Sequence, residues 1–240
     1  MQKIVFITGA TAGFGEAAAY KFASHGYDLI LNGRRTDRLQ VLSDELEKKY
    51  NVAVLQLPFD VQDEKAVLES IENIPADWKA IDVLVNNAGL ALGRDYFEEA
   101  DLSDWNTMID TNVKGFLYVG KAVSQLMAAR KQGHIINMGS VAGKQVYEKG
   151  NVYCATKYAV DAISQARRSP SGPAPAATRR PRSSASSSPG TACWASCSAS
   201  SCPPSSPTRA VVTQRCARSC RRSREHPTSG SSGSRTMYLE

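Results

Sequence analysis

The sequence predicts a doubly wound α/β fold, a parallel sheet with helices on both faces. Three observations predict it. Short apolar runs alternate with helical stretches from residue 3 to residue 166. Several of those runs are nearly continuous in Val, Ile and Leu, as strands covered on both faces require. The first run ends in a glycine-rich turn that opens a helix.

The elements follow in order. Lys3 to Thr8 is too short for a helix, is ended by Gly9, and reads as a buried strand. Gly9-Ala10-Thr11-Ala12-Gly13-Phe14-Gly15 is the turn. Glu16 to Ser24 is helical, and Gly26 stops it. Tyr27 to Asn32 is a second strand, Thr36 to Tyr50 an amphipathic helix, and Val52 to Leu57 a third strand. Asp63 to Ile74 is helical, and Ile81 to Val85 is a fourth strand closed by Asn86-Asn87-Ala88-Gly89. Leu102 to Ala129 is a long helical region, His134 to Met138 a fifth strand, and Asn151 to Ala166 a further helix. Crossovers in such a pattern are right-handed, and ligands bind beyond the carboxyl ends of the strands.

Charge divides the chain. The net charge is +6. Residues 1–166 carry 17 Lys+Arg against 21 Asp+Glu, a balance of −4. Residues 167–240 carry 12 Arg against Glu225 and Glu240, a balance of +10. No run of about 18 apolar residues exists, so no membrane span is expected. The first 15 residues lack the basic-then-apolar pattern of a signal peptide, and the body reads as cytoplasmic. Of six Cys, five lie in the tail, and Cys154 alone indicates no redox compartment.

The segments after the strands carry the candidate chemistry. Glycines at 9, 13 and 15 let backbone N–H groups and a helix N-terminus approach a pyrophosphate. The plain alternative is a tight turn with no ligand. At the end of the second strand, a carboxylate would favour NAD, whereas arginine suits the 2′-phosphate of NADP. Asn32-Gly33-Arg34-Arg35 has no carboxylate before Asp37, which points to NADP; otherwise it is a solvated basic turn. Tyr153 and Lys157 share one face of a helix. A Lys ammonium beside a phenol favours phenolate, giving an acid or base that works near neutral pH. Ser140 follows the fifth strand and can hydrogen-bond a substrate oxygen, or simply form a turn. Asn112 can complete a proton relay to Lys157, or be a satisfied mid-helix amide.

Thr8-Gly9-x-x-x-Gly13-x-Gly15, Asn86-Asn87-Ala88-Gly89, Asn112, Ser140 and Tyr153-x-x-x-Lys157 together resemble the short-chain dehydrogenase/reductase family in order and spacing. The resemblance covers residues 1–166 and implies a Rossmann-type domain. It implies that Tyr153 is the acid/base, that Lys157 lowers its pKa and binds the nicotinamide ribose, that Ser140 orients substrate and that Asn112 supports the relay. It assigns Gly9, Thr11, Gly13, Phe14, Gly15, Arg34, Arg35, Asp60, Val61, Asn87, Ala88 and Gly89 to the cofactor, with Asp60 and Val61 at adenine. No metal is implied. Gly9 to Glu16, Gly33-Arg34-Arg35, Asn86 to Gly93, Asp104-Trp105, Met108 to Asn112 and Gly150 to Tyr153 also resemble the NADP-dependent 3-hydroxy acid dehydrogenases. That implies oxidation of a small 3-hydroxy acid such as serine, allo-threonine or 3-hydroxypropionate. For serine-like substrates the β-keto acid formed can lose CO₂. The same-family alternative is a carbonyl or 3-oxoacyl reductase. The resemblance also implies a homo-oligomer, a tetramer, with the tyrosine helix at a subunit contact.

The pattern stops after Ala166. Ser, Arg, Pro, Ala, Cys and Gly make up 58 of residues 167–240, and Ile, Leu, Val and Phe only three. Disorder is the expectation for so little apolar area. Three readings compete. A natural basic tail would bind nucleic acid. Cys193, Cys197, Cys202, Cys216, Cys220 and His226 superficially suit zinc. A reading-frame shift in a GC-rich gene explains both the composition and the abrupt end inside a helix, and is the favoured reading. A five-stranded sheet would leave the fifth strand's outer edge open and apolar helix faces bare. Poor solubility and little activity are therefore expected, with the oligomer in doubt.

Overall fold

A computed structural model describes residues 2–168 and 234–237, which lie within one compact unit. The strands are β1 Ile4–Ile7, β2 Asp28–Asn32, β3 Val54–Leu57, β4 Ile81–Asn86, β5 His134–Met138 and β6 Ser234–Met237. Every pairing is parallel, in the order β3-β2-β1-β4-β5-β6. This is the doubly wound order, which reverses direction between β1 and β4 and so places a crevice beyond that point.

Alternation along β1 explains the two layers. Ile4 and Phe6 face a core with Ile30, Leu84, Val67, Ile71, Val119 and Val123. Val5 and Ile7 face the other core with Leu29, Leu31, Leu39, Leu42, Leu46 and Ala19. The first layer is closed by α3 (Glu64–Glu72) and α5 (Phe116–Arg130), the second by α1 (Gly13–Ala23) and α2 (Thr36–Tyr50). In α1, Gly15, Ala19 and Ala23 recur every fourth residue, and their small side chains let the helix lie close to the sheet. The Tyr20 hydroxyl donates to Glu45, tying α1 to α2, and that bond pushes the phenol up to about 12. α6 (Asn151–Arg168) carries the tyrosine and the lysine singled out above.

The expected helix from Leu102 is interrupted. α4 (Leu102–Ile109) and α5 are joined by a π-helical turn over Asp110–Gly115. Gly115 explains why the chain can pass there. A Cβ on it would lie 2.8 Å from both the carbonyl oxygen and Cγ2 of Val61. The wide turn also carries Asn112, and such bulges recur at functional positions.

One expectation is corrected. β6 pairs along β5 from Ile135↔Ser234 to Met138↔Met237, so that edge is not left open. A ladder forms through backbone groups, and an apolar run is not needed for it. The remaining readings of the tail, namely disorder, nucleic-acid binding, the cysteine–zinc set and the frame shift, fall on residues outside those described. Among the described residues, no helix is long and apolar enough to cross a membrane.

Candidate active site

Three adjoining clefts line the carboxyl ends of the strands. The first, about 520 Å³, lies between the glycine turn, Arg34, Arg35, Asp60, Val61 and Asn87–Leu90. The second, about 690 Å³, shares Phe14, Asn87 and Gly89 with it and adds Ser140, Tyr147, Tyr153 and Lys157. The third, about 280 Å³, shares Tyr147 and Tyr153 with the second and adds Arg94, Trp105, Met108 and Lys149. Tyr153 therefore stands where the second and third meet.

The glycine turn is held from below. The buried Thr8 hydroxyl accepts the N–H groups of Asn87 and Ala88, both at 2.9 Å. Asn87 Nδ2 donates back to the Thr8 carbonyl at 2.9 Å and the Gly9 carbonyl at 3.3 Å. These bonds clamp the end of β4 to the end of β1. A Cβ on Gly15 would run into the Gly9 carbonyl oxygen and lie 2.7 Å from Asn87 Nδ2. Gly15 thus serves close packing of α1 on β1, whereas Gly13, at φ +57° with open space beside it, faces the first cleft. Ala12 offers α1 no side-chain cap. The amide groups of the first turn of α1 are therefore available to an anion.

The arginines rim the same cleft. Arg35 Nη2 donates to Thr11 Oγ1 at 3.0 Å. Arg34 pairs with Asp60 at 3.3 Å; Arg34 is largely exposed and Asp60 partly so. Asp60 also accepts the Gln62 N–H at 3.1 Å. The pair is held loosely enough for either arginine to turn to a phosphate, because exposed ion pairs contribute little.

The second cleft brings the four catalytic candidates into one neighbourhood. Lys157 is buried, donates to the Met138 carbonyl at 3.2 Å and stands 5.9 Å from the Tyr153 ring centre. Burial lowers its pKa from the usual lysine range. Asn112 exchanges bonds with the backbone of Leu90, donating to its carbonyl and accepting its N–H, both at 2.8 Å. It also donates to Thr156 Oγ1 at 3.1 Å. Asn112 and Lys157 face each other across Gly89, where a Cβ would lie 3.2 Å from Oδ1 and 3.5 Å from Nζ. Ser140 Oγ accepts the Ala142 N–H at 3.2 Å and caps a short 3₁₀ turn. Among the described residues its own proton has no acceptor, which leaves it for a substrate oxygen.

All the candidates except Gly15 and Asn112 line a cleft. Sequence reasoning missed Thr156, which lies between Tyr153 and Lys157 and fixes the Asn112 amide. It also gave no role to Asn32, whose amide donates to the carbonyls of Leu57 and Phe59 at 3.0 Å each and shapes the cleft wall. A polar residue closing a buried strand was the available signal. Arg94 was missed as well, and Trp105, quoted only for the resemblance, had no place near Tyr153, since nothing local joins either to it.

A doubly wound parallel sheet, with a glycine turn at the reversal of strand order and a Tyr–Lys pair beside it, defines a Rossmann-type α/β protein. The short chain dehydrogenase model matches residues 3–174, and the chain belongs to that family. It is 53% identical over 154 residues to an NADP-dependent 3-hydroxy acid dehydrogenase, YdfG, of Salmonella typhi, covering 64% of this chain and 60% of the relative. It is 48% identical over 158 residues to sulfoacetaldehyde reductase 2 of Chromohalobacter salexigens, covering 65% and 62%. A crystal structure of serine dehydrogenase from Escherichia coli superimposes with a TM-score of 0.64 at 49% identity, over 69% of this chain and 74% of that one. The closed form of serine dehydrogenase complexed with NADP⁺ matches with a TM-score of 0.64 at 50% identity, over 69% and 65%. The chain spans about 60% of the length of the first of these relatives.

Proposed function

We propose that the chain is an NADP-dependent oxidoreductase acting on the 3-hydroxyl of a small 3-hydroxy acid. The observation that carries this reading is Tyr153 at the junction of two clefts, the inner one continuing to Arg34 and Arg35 and the outer one small and charged. The glycine turn fits a pyrophosphate, because Gly13 leaves open space at an uncapped helix start. Arg34 and Arg35 would hold the 2′-phosphate, Asp60 and Val61 the adenine, and Asn87 to Gly89, Tyr153 and Lys157 the remainder. When bound, NADP⁺ supplies the acceptor for a hydride. Tyr153 takes the hydroxyl proton, and Ser140 donates its free proton to the same substrate oxygen. Lys157 stands 5.9 Å from the Tyr153 ring centre, and Asn112 fixes the Leu90 wall opposite it.

The test compares NADP⁺ reduction with 3-hydroxypropionate and L-serine against NADPH oxidation with a 3-oxoacyl thioester. Turnover of the hydroxy acids is expected, whereas turnover of the thioester alone would reassign the chain to the 3-oxoacyl reductases. A second result is expected from Arg34→Asp combined with Arg35→Asp. Loss of two phosphate-facing cations should shift preference from NADP⁺ toward NAD⁺ by about tenfold or more, since each charge-assisted bond contributes about 1.5–3 kcal/mol. Unchanged NADP⁺ affinity would remove the arginines from this role. We further propose that residues 167–240 arise from a shifted reading frame and that the activity of this chain is reduced. The composition of that segment supports this, and re-sequencing codons 160–175 tests it.

A further inference from the structure

Arg94 has no part in the reading above, although it lines the small cleft beyond Tyr153. Among the described residues it makes no ion pair or hydrogen bond. The other cations near Tyr153 are engaged. Lys149 stands 4.2 Å over the Tyr96 ring, and Lys157 is buried against the Met138 carbonyl. The carboxylates of the same lining do not take Arg94 either. Asp101 caps α4 by accepting the Ser103 N–H at 2.8 Å. Asp95 and Asp104 gather at Gly93, each with Oδ2 3.2 Å from where a Cβ would stand.

Arg94 shares its cleft with two tyrosines, Tyr147 and Tyr153. Tyr147 lines both the catalytic cleft and the small one. Burial, then Cys154 and Tyr153, push its hydroxyl pKa up, and the Arg94 charge acts against them. Arg94, Tyr147 and Tyr153 thus line one cleft.

We propose that Arg94 binds the carboxylate of the 3-hydroxy acid and thereby sets which carbon is presented to Tyr153. This rests on the proposed function. A three-carbon acid offers few handles, and its hydroxyl and carboxylate are only a few ångströms apart. A cation one cleft-width from Tyr153 can hold one while the other meets the phenol. The planar fork of Arg matches a carboxylate in two bonds, which fixes orientation as well as position. Asp95 and Asp104 line the same cleft and add negative charge, so a second carboxylate on the substrate is disfavoured.

The test is calorimetric titration of 3-hydroxypropionate into the full chain saturated with NADPH, a pair that cannot react. Arg94→Gln should weaken binding of the acid by about tenfold or more, with Arg94→Lys intermediate. Methyl 3-hydroxypropionate should bind both proteins within about twofold, which also reports that the variant is folded. In turnover, the loss should fall on KM and spare kcat. Acid binding unchanged by Arg94→Gln, or equal losses for acid and ester, would overturn the anchor while leaving the proposed function standing. A wild-type chain that binds neither compound and oxidises no hydroxy acid would overturn both.

Discussion

Replacing Tyr153 by Phe lowers kcat/KM for a 3-hydroxy acid by about 10²–10⁴, the usual contribution of a positioned acid–base group. The substitution removes one oxygen and keeps the ring. Tyr153 is only half-buried, and its hydroxyl makes no hydrogen bond among the described residues. No buried partner is orphaned, so the stability change stays within about 0.5 kcal/mol, as for substitutions away from packed or bonded features. The relation between Lys157 and the ring, 5.9 Å to its centre, is also kept. Cofactor affinity should therefore hold within about threefold, because the glycine turn, Arg34 and Arg35 lie in the other cleft. The measurements are initial rates, thermal melting and cofactor titration on the same two preparations. A Tyr153→Phe protein that keeps a tenth of the rate would remove Tyr153 from the chemistry. One that melts several degrees lower would show that the hydroxyl is structural instead.

Local signals were legible in the sequence, and tertiary ones were not. β5 has the bounds read from the sequence, His134–Met138, because a short apolar run between a glycine and a turn is a local pattern. The glycine turn was legible for the same reason. Gly9 and Gly13 take φ of +63° and +57°, where a side chain would be strained. The pairing of Tyr153 with Lys157 needed only the helix period. The π turn at Asp110–Gly115 was not legible. It depends on Gly115 meeting Val61, 54 positions earlier in the chain. The partners of Asn112 were not legible either, because its amide bonds to Leu90 and Thr156 and it meets Lys157 across Gly89. β6 escaped notice since Ser234–Met237 carries no apolar run and its pairing is made by backbone groups. The small cleft escaped notice since it joins three separate stretches of chain, around Arg94, Trp105 and Tyr147.

Lys157→Met should raise stability while removing activity, and the gain should shrink with rising pH. Lys157 is buried and donates to the Met138 backbone carbonyl, and burial lowers its pKa. Below the folded-state value the group is charged in both states, and the full desolvation penalty opposes folding. Between that value and the unfolded value near 10.5, the unfolded chain holds a proton that the folded chain has lost. The penalty is relieved as pH rises through that window, and wild-type stability rises with it. An unbranched Met fills similar space without a charge, though it leaves the Met138 carbonyl without its donor. That lost bond costs about 1 kcal/mol, and removing a buried charge returns more. The expected net change at pH 7 is a gain, read as a higher melting temperature than wild type. It should fade by about pH 10, as the wild-type lysine loses its proton. Activity should fall by about 10² or more, because the acid–base group at Tyr153 loses the lysine beside it. The paired outcome is diagnostic. A lysine kept for packing would lose stability on substitution, whereas one held buried for chemistry opposes folding and is retained for the reaction. Denaturant melts at pH 7 and pH 10, run beside initial rates, decide between them. A Lys157→Met protein that is less stable than wild type at pH 7 would show that the side chain is held there for the fold.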